Sequence, residues 1–251
     1  MSLGVGVPFN FNKLGGGGAA PSSPDFISTW DTTQAGSASD TIVLPMTAGS
    51  TVDWGDGTVN NLNTHTYAVG GIYTVKILTT AALRFFSAGD RLKITEISNW
   101  GVVQLIDHAY YGCSNLVITA TDTPTVVGSS LRRCFRDAQS ITALSLNGVD
   151  VSGVTNFLDC FYRIGFGTEA ALEIDQWQLT QATNLSGFCQ NTKIATANYD
   201  TLLISLDAQG AFTWSGTLNM GTSQFTLGGA AEAARTSLIT KIGGITDGGG
   251  I

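Results

Sequence analysis

The chain has 251 residues, a net charge of −7 and 43% hydrophobic residues, enough for one large or two small cored domains. Its densest basic spot is Arg132-Arg133, which excludes nucleic acid as a partner, because phosphate binding needs clustered Lys and Arg. No apolar run is long enough to cross a bilayer, and residues 1–8 lack the basic start and continuous apolar core of a secretion signal. Charged residues are only 12%, about half the usual ~25%. With 31 Gly, that composition predicts many short strands and turns rather than long helices.

Residues 1–25 are expected to form an extended, Gly-rich arm. Phe9-Asn-Phe11 is followed by Gly15–Gly18 and Pro21-Ser-Ser-Pro24, a composition that cannot fold alone. Its apolar residues Leu3, Val5, Val7, Phe9, Phe11 and Leu14 are the candidates for docking on another subunit.

Residues 26–82 carry strand and turn signals. Asp40–Leu44 and Ser50–Trp54 read as strands, Asp56-Gly57 as a tight hairpin turn, and Thr64–Tyr67 and Tyr73–Leu78 as further strands split by Gly70-Gly71. The words Val52-Asp-Trp-Gly-Asp-Gly57, His65-Thr-Tyr67 and Gly71-Ile-Tyr-Thr-Val75 resemble the polycystic-kidney-disease (PKD) type of immunoglobulin-like domain. That resemblance implies a small β-sandwich serving as a spacer or adhesive module. Asp53 and Asp56 have the spacing to begin a calcium site, but further oxygen ligands are not evident. His65 is expected to belong to a strand and Asp56 to its turn.

Leu92–Ile97 alternates, and after it a small motif recurs. An aromatic is followed three residues later by a small or apolar residue, and usually three later by an aliphatic. The copies are Tyr110–Cys113–Leu116, Phe135–Ala138–Ile141, Phe161–Ile164 and Phe188–Asn191–Ile194, with anchors 25, 26 and 27 residues apart. Val151–Phe157 echoes Leu179–Leu185 at an offset of 28. An aromatic and its +3 partner share one face of a helical turn. Alternating pairs such as Leu144 with Leu146 and Leu172 with Ile174 mark short strands. One turn plus one strand cannot bury its own apolar side, so copies stack and share a core formed around Tyr110, Phe135, Phe161 and Phe188. Tyr110-Tyr-Gly-Cys-Ser-Asn-Leu116, Asp150-Val-Ser-Gly-Val-Thr-Asn156 and Cys160-Phe161 resemble the BspA-like leucine-rich repeats of bacterial surface proteins and some phage proteins. This resemblance implies surface recognition or assembly. It departs from the pattern at Phe161, whose +6 position is Gly167, and Gly165–Thr168 reads as an insertion expected to project from one face. The four cysteines, 113, 134, 160 and 189, one per copy, are expected to be a column of buried free thiols.

Beyond the array, Asn198–Gln209 is expected to be a helix with Leu202, Leu203 and Leu206 inward. Ala211–Trp214 reads as strand-like, and Ala230–Ile239 as a helix burying Ala231, Ala234, Leu238 and Ile239. The run Gly228–Leu238 with Ile245–Gly248 looks like the ending of phage and bacterial proteins of this repeat class. The expected architecture is therefore mainly β with short helices: arm, PKD-like sandwich, then residues 83–251 as a leucine-rich-repeat solenoid whose helical cap spans about 198–251.

No cofactor, metal or catalytic residue is expected. His65 and His108 are the only histidines, and neither a Gly-x-Ser-x-Gly elbow nor a phosphate-binding Gly-Lys loop occurs. Glu169, Glu173 and Asp175 are the acids that a glycan hydrolase could pair. The function expected first is a non-enzymatic phage virion subunit (tail, fibre or capsid decoration), forming homo-oligomers and contacting other virion proteins through the arm, with a host-surface glycan or protein as a further partner. Bacterial surface adhesin and carbohydrate-active enzyme are the alternatives. Trp177 and Trp214 are aromatics able to stack on sugars, though strand spacing favours core positions for both.

Overall fold

The computed structural model describes residues 24–251. The arm and its six apolar candidates, Leu3 to Leu14, lie outside the described residues. Among those described, the fold is mainly β, with no closed barrel. The strands before the motif array are β1 (Phe26–Asp31), β2 (Thr41–Val43), β3 (Val52–Asp53), β4 (Val59–Asn60), β5 (Thr64–Thr66), β6 (Ile72–Ile77), β7 (Ala81–Ala82), β8 (Ile94–Asn99) and β9 (Val103–Leu105). Then come β10 (Val117–Ile118), β11 (Thr125–Val126), β12 (Ala143–Ser145), β13 (Ala171–Glu173), α1 (Thr196–Ala208), β14 (Gly216–Asn219), α2 (Ala230–Ile242) and β15 (Gly243–Thr246).

The main sheet has the order β10-β8-β1-β6-β3-β4. β1 lies antiparallel to both β6 and β8, with Trp30 opposite Tyr73 on one side and Ser28 opposite Ile97 on the other. Hydrogen bonding therefore runs unbroken across position 82. β2 and β5 form a separate antiparallel pair, so the Gly70-Gly71 turn carries the chain from one sheet to another. The expected hairpin turn is present: β3 and β4 pair across it, and Trp54 N–H donates to Thr58 C=O at 3.0 Å.

A buried polar clamp ties the early loop to the start of the array. Asp90 and Lys93 are both fully enclosed. Asp90 accepts the Ser37 and Val43 N–H groups, each at 2.6 Å, while Lys93 Nζ donates to the carbonyls of Ser37, Ala38 and Thr41. The Ser37 hydroxyl contacts both side chains. Every charge that enters the interior here meets several partners, the condition under which burial is tolerated.

The motif copies stack through their backbones. Tyr110 N–H donates to Cys134 C=O (2.7 Å), Phe135 N–H to Cys160 C=O (2.9 Å) and Phe161 N–H to Phe188 C=O (2.8 Å). Alternate residues on either side do the same, for example Arg133 to Leu158 and Asp159 to Ser186. The aromatic anchors consequently lie in a row. Tyr110–Phe135 and Phe135–Phe161 are stacked at 5.7 and 5.8 Å between centroids, and Phe161–Phe188 meet edge-on at 5.4 Å and 81°. All four rings are fully buried.

The hydrogen-bond register corrects three details. Phe161 N–H reaches Phe188 C=O, so Cys189 rather than Phe188 stands opposite Phe161. In the fourth copy the Cys-Phe order of 160–161 is inverted, which turns the last ring edge-on. Its +3 residue is accordingly Thr192, which is buried, and not Asn191, which is exposed. The four thiols are all free and buried, but they form no single column: Cys134 and Cys160 match, Cys189 takes the ring position, and Cys113 is a +3 residue. The row also begins one copy earlier than the motif indicates, because Phe85 N–H donates to Ala109 C=O and its ring lies 6.1 Å from Tyr110.

At the C-terminal end, α1 buries Tyr199, Leu202, Leu203 and Leu206, as the apolar spacing predicts. Helix α2 buries Ala231, Ala234, Leu238 and Ile242. Ile242 replaces the expected Ile239, since the helix runs one turn further before Gly243 ends it in the left-handed region at φ 103°. Residues 211–214 form no strand; the strand is β14, and it pairs in parallel with β15 across α2. Tyr199 and Arg235 both bond the buried Asp247 carboxylate, Arg235 with two N–H groups at 2.7 and 3.0 Å.

Tyr110 is the one anchor with a hydroxyl, and that hydroxyl has no partner among the described residues. An unpaired buried polar group costs about 1–3 kcal/mol. Tyr110→Phe is therefore expected to raise stability by about 1 kcal/mol, whereas Phe135→Ala lowers it by about 3–5 kcal/mol. Denaturant melts of both variants measure the two effects; destabilisation by Tyr110→Phe would show that the hydroxyl is satisfied.

Candidate recognition edge

The same hydrogen bonds that align the anchors also align the residues beside them. One position after each anchor the side chain points outward, giving Phe86, Tyr111, Arg136 and Tyr162 in successive copies. Arg136 is sandwiched: its guanidinium lies 5.6 Å from the Tyr111 centroid and 4.3 Å from Tyr162. At the margins Arg84 lies over Phe86 (5.6 Å) and Arg163 over Phe166 (4.3 Å). Cations over ring faces attract through the ring quadrupole, by about 0.5–2 kcal/mol each.

Two positions before and after each anchor the backbone is left-handed. His108, Arg133 and Asp159 (φ 57°, 55°, 53°) precede, with Gly187 at 63° in the fourth copy; Asp137 and Arg163 (59°, 58°) follow, with Gly112 at 81° and Asn191 at 59°. The left-handed region costs an L-residue roughly 1–2 kcal/mol. At Gly187 a Cβ would come within 2.2 Å of Asp159 Oδ1, so a side chain there would have to push that carboxylate aside. Charged residues at and beside these positions pair between copies. Arg133 and Arg136 share Asp159, Arg163 bonds Asp137 at 3.2 Å, and Arg84 and Arg132 share Asp107 at 2.5 and 3.8 Å. Five arginines thus meet three aspartates on one edge of an otherwise acidic chain.

The edge ends in a groove of about 470 Å³ beside Phe166, bordered by Thr168, Glu169, Asn191 and Lys193. Phe166 is 52% exposed. It belongs to the 165–168 insertion, and Gly165 and Gly167 on either side of it take φ of 54° and 88°. Asn191 donates to the Tyr162 hydroxyl at 2.9 Å, joining groove to row.

The other sequence candidates are engaged elsewhere. His65 Nε2 lies 2.8 Å from Asp56 Oδ2, and its ring stacks on Trp54 at 5.1 Å and meets Tyr67 edge-on. The hydrogen bond from His65, then that from Thr58, holds the Asp56 carboxyl below its usual range. Asp53 caps the same turn through Gly55 N–H. Glu169 pairs with Lys193 (2.7 Å) and Asp175 accepts from Asn147 (2.7 Å), while Glu173 faces outward on β13. Trp177 is buried with its indole N–H on Leu146 C=O, and Trp214 is partly buried. Desolvation raises the thiol pKa of all four cysteines, which keeps them as protonated packing groups. The Arg–aromatic row was not found from the sequence. Its signal was faint: an aromatic doublet at Phe85-Phe86 and at Tyr110-Tyr111, and the outward neighbours of Phe135 and Phe161.

His108 sits within the edge, buried, stacked on Phe86 at 4.3 Å and 3.3 Å from Asp107. Burial, opposed by Asp107, holds its pKa below the ordinary imidazole range. A lowered folded-state pKa means the unfolded chain takes up the proton first. Stability is therefore full above about pH 6.5 and falls as pH drops from there towards the folded-state value. His108→Asn, which keeps a residue tolerant of positive φ, is expected to flatten the decline in melting temperature between pH 7.5 and pH 5.5. An undiminished decline in that variant would remove His108 as its source.

Comparison with known proteins finds no matching family model, no matching curated protein and no matching solved structure, so the reading of this edge rests on its geometry.

Proposed function

We propose that the protein is a non-enzymatic bacteriophage virion subunit, of a tail, a fibre or a capsid decoration. In this reading a small PKD-like β-sandwich is followed by a leucine-rich-repeat solenoid with a helical cap. The arm, residues 1–25, docks on other virion proteins, and the repeat edge is presented outward to neighbouring subunits or the host surface. The observation that carries it is the continuous outward row of Phe86, Tyr111, Arg136 and Tyr162 on hydrogen-bonded copies, flanked by five arginines. A regular stack that repeats its side chains at a fixed interval is suited to binding extended surfaces, and repeat scaffolds use it so. Of the three acids a glycan hydrolase could pair, Glu169 and Asp175 are each tied into a separate pair, while Glu173 faces outward on β13. A cell-surface adhesin would use the same edge and differ only in what holds the N-terminal end.

Deletion of residues 1–20 separates these settings. The truncated chain is expected to remain folded and soluble, with an unchanged melting temperature, and to lose incorporation into particles or oligomers, read by sedimentation and by mass spectrometry of purified particles. Normal incorporation of the truncated chain would overturn the docking role of the arm.

A further inference from the structure

The edge carries a surplus of positive charge that its own aspartates do not consume. Asp107, Asp137 and Asp159 accept from five arginines, and each guanidinium has five N–H donors. Arg84 and Arg132 leave about two-fifths of their side chains in solvent (42% and 41%). Counted over these eight side chains alone, five arginines against three aspartates leave a surplus of two cations along the row from Phe85 to Phe161. Adjacent hydrogen-bonded chains lie about 4.8 Å apart, so two charges spread along roughly 14 Å of edge.

That density selects the ligand. Double-stranded DNA presents one charge per about 1.7 Å, far denser than the edge can neutralise and repelled by the acidic remainder of the chain. A polymer with one anionic group every one or two units matches. The aromatic platforms restrict it further. Phe86 is backed by His108, carries Arg84 at 5.6 Å from its centroid, and is still 51% exposed; Phe166 is backed by Arg163 and is 52% exposed. A ring held from behind offers a flat apolar face, and the C–H faces of a pyranose ring lie flat on such a surface, whereas acidic peptide side chains have no such face. The groove beside Phe166 is roomy enough for a sugar unit at the end of the row.

We propose that this edge binds an extended anionic polysaccharide, with its acidic groups on Arg84, Arg132 and Arg163 and its sugar faces on Phe86 and Phe166. The proposal rests on the outward-facing role assigned to the edge above and specifies its ligand class. Binding is electrostatic in part, so it weakens with added salt, and apolar in part, so it keeps a component that salt does not remove.

The test uses the purified full-length chain in calorimetric titrations against polygalacturonate, a dextran sulfate carrying one sulfate per one or two sugar units, polyphosphate, neutral dextran and poly-glutamate, at low and high salt. Polygalacturonate or dextran sulfate is expected to bind, and which of the two binds tighter assigns carboxylate or sulfate as the acidic group. Arg132→Gln with Arg163→Gln, and separately Phe86→Ala with Phe166→Ala, are each expected to weaken binding about tenfold. The second pair of side chains is exposed, so it reports on binding even if the arginine pair proves necessary for folding. Equal binding of neutral dextran, of poly-glutamate or of polyphosphate would overturn the proposal, as would binding by neither anionic polysaccharide or parent-like binding by the phenylalanine variant. A chain that needs residues 1–20 for incorporation yet binds no anionic polysaccharide would overturn the ligand and leave the virion reading standing.

Discussion

Everything about the array depends on one backbone constraint: alternate N–H groups of each turn segment donate to carbonyls of the next. Tyr110, Phe135 and Phe161 donate in the same direction, and their neighbours two residues away donate with them. Buried amides must find partners, and here only the following copy can supply them. The copies cannot slide relative to one another without breaking several bonds at once. Side chains at matching positions therefore align, and the inward row becomes a stack of rings while the outward row becomes a continuous edge of rings and guanidinium groups. Core and edge are two faces of one ladder.

The ladder explains why the edge tolerates so many strained residues. Holding Arg133, Asp137, Asp159 and Arg163 at positive φ is unfavourable at each site. The same geometry brings arginine of one copy against aspartate of another, as in Arg133 with Asp159 and Arg163 with Asp137. Exposed pairs of this kind contribute little individually, about 0–1 kcal/mol. They do not hold the stack together; the buried rings and backbone bonds do. Their effect is on direction, because Arg136 pinned to Asp159 stays between two tyrosine faces. Burial works against its charge, but Asp159, with Tyr111 and Asp137 beside it, outweighs that and raises the guanidinium pKa above its usual value.

The junction with the N-terminal strands has a different logic. β8 completes the sheet of β1 on one edge and receives β10 in parallel on the other. The Asp90–Ser37–Lys93 clamp sits next to it and closes the early loop over the buried ammonium. A shared strand and a satisfied buried charge pair make these two regions a continuous packed body, with one hydrophobic core running from Phe26 to Ile242.

The sequence by itself determined the pieces: the 25- and 26-residue spacing of Tyr110, Phe135 and Phe161, the inward alternation of Leu144 and Leu146, the apolar face of α1, and the Asp56-Gly57 turn. These are local patterns, set by which side chains a turn, strand or helix must bury. Only the tertiary structure decided which residues meet across copies. The aromatic-to-aromatic count of 27 hides the inversion of Phe188 and Cys189, although the echo of Val151–Phe157 in Leu179–Leu185 at an offset of 28 already carries the hydrogen-bond register. Phe85 has a small residue, Ala88, at +3 but Arg91 where an aliphatic usually follows, so its place in the row comes from its hydrogen bond to Ala109 and not from the motif. The Arg–aromatic edge was illegible for the same reason. Asp107 and Arg132, or Arg133 and Asp159, stand about a whole copy apart in sequence, and only the length of each intervening coil fixes whether they become neighbours.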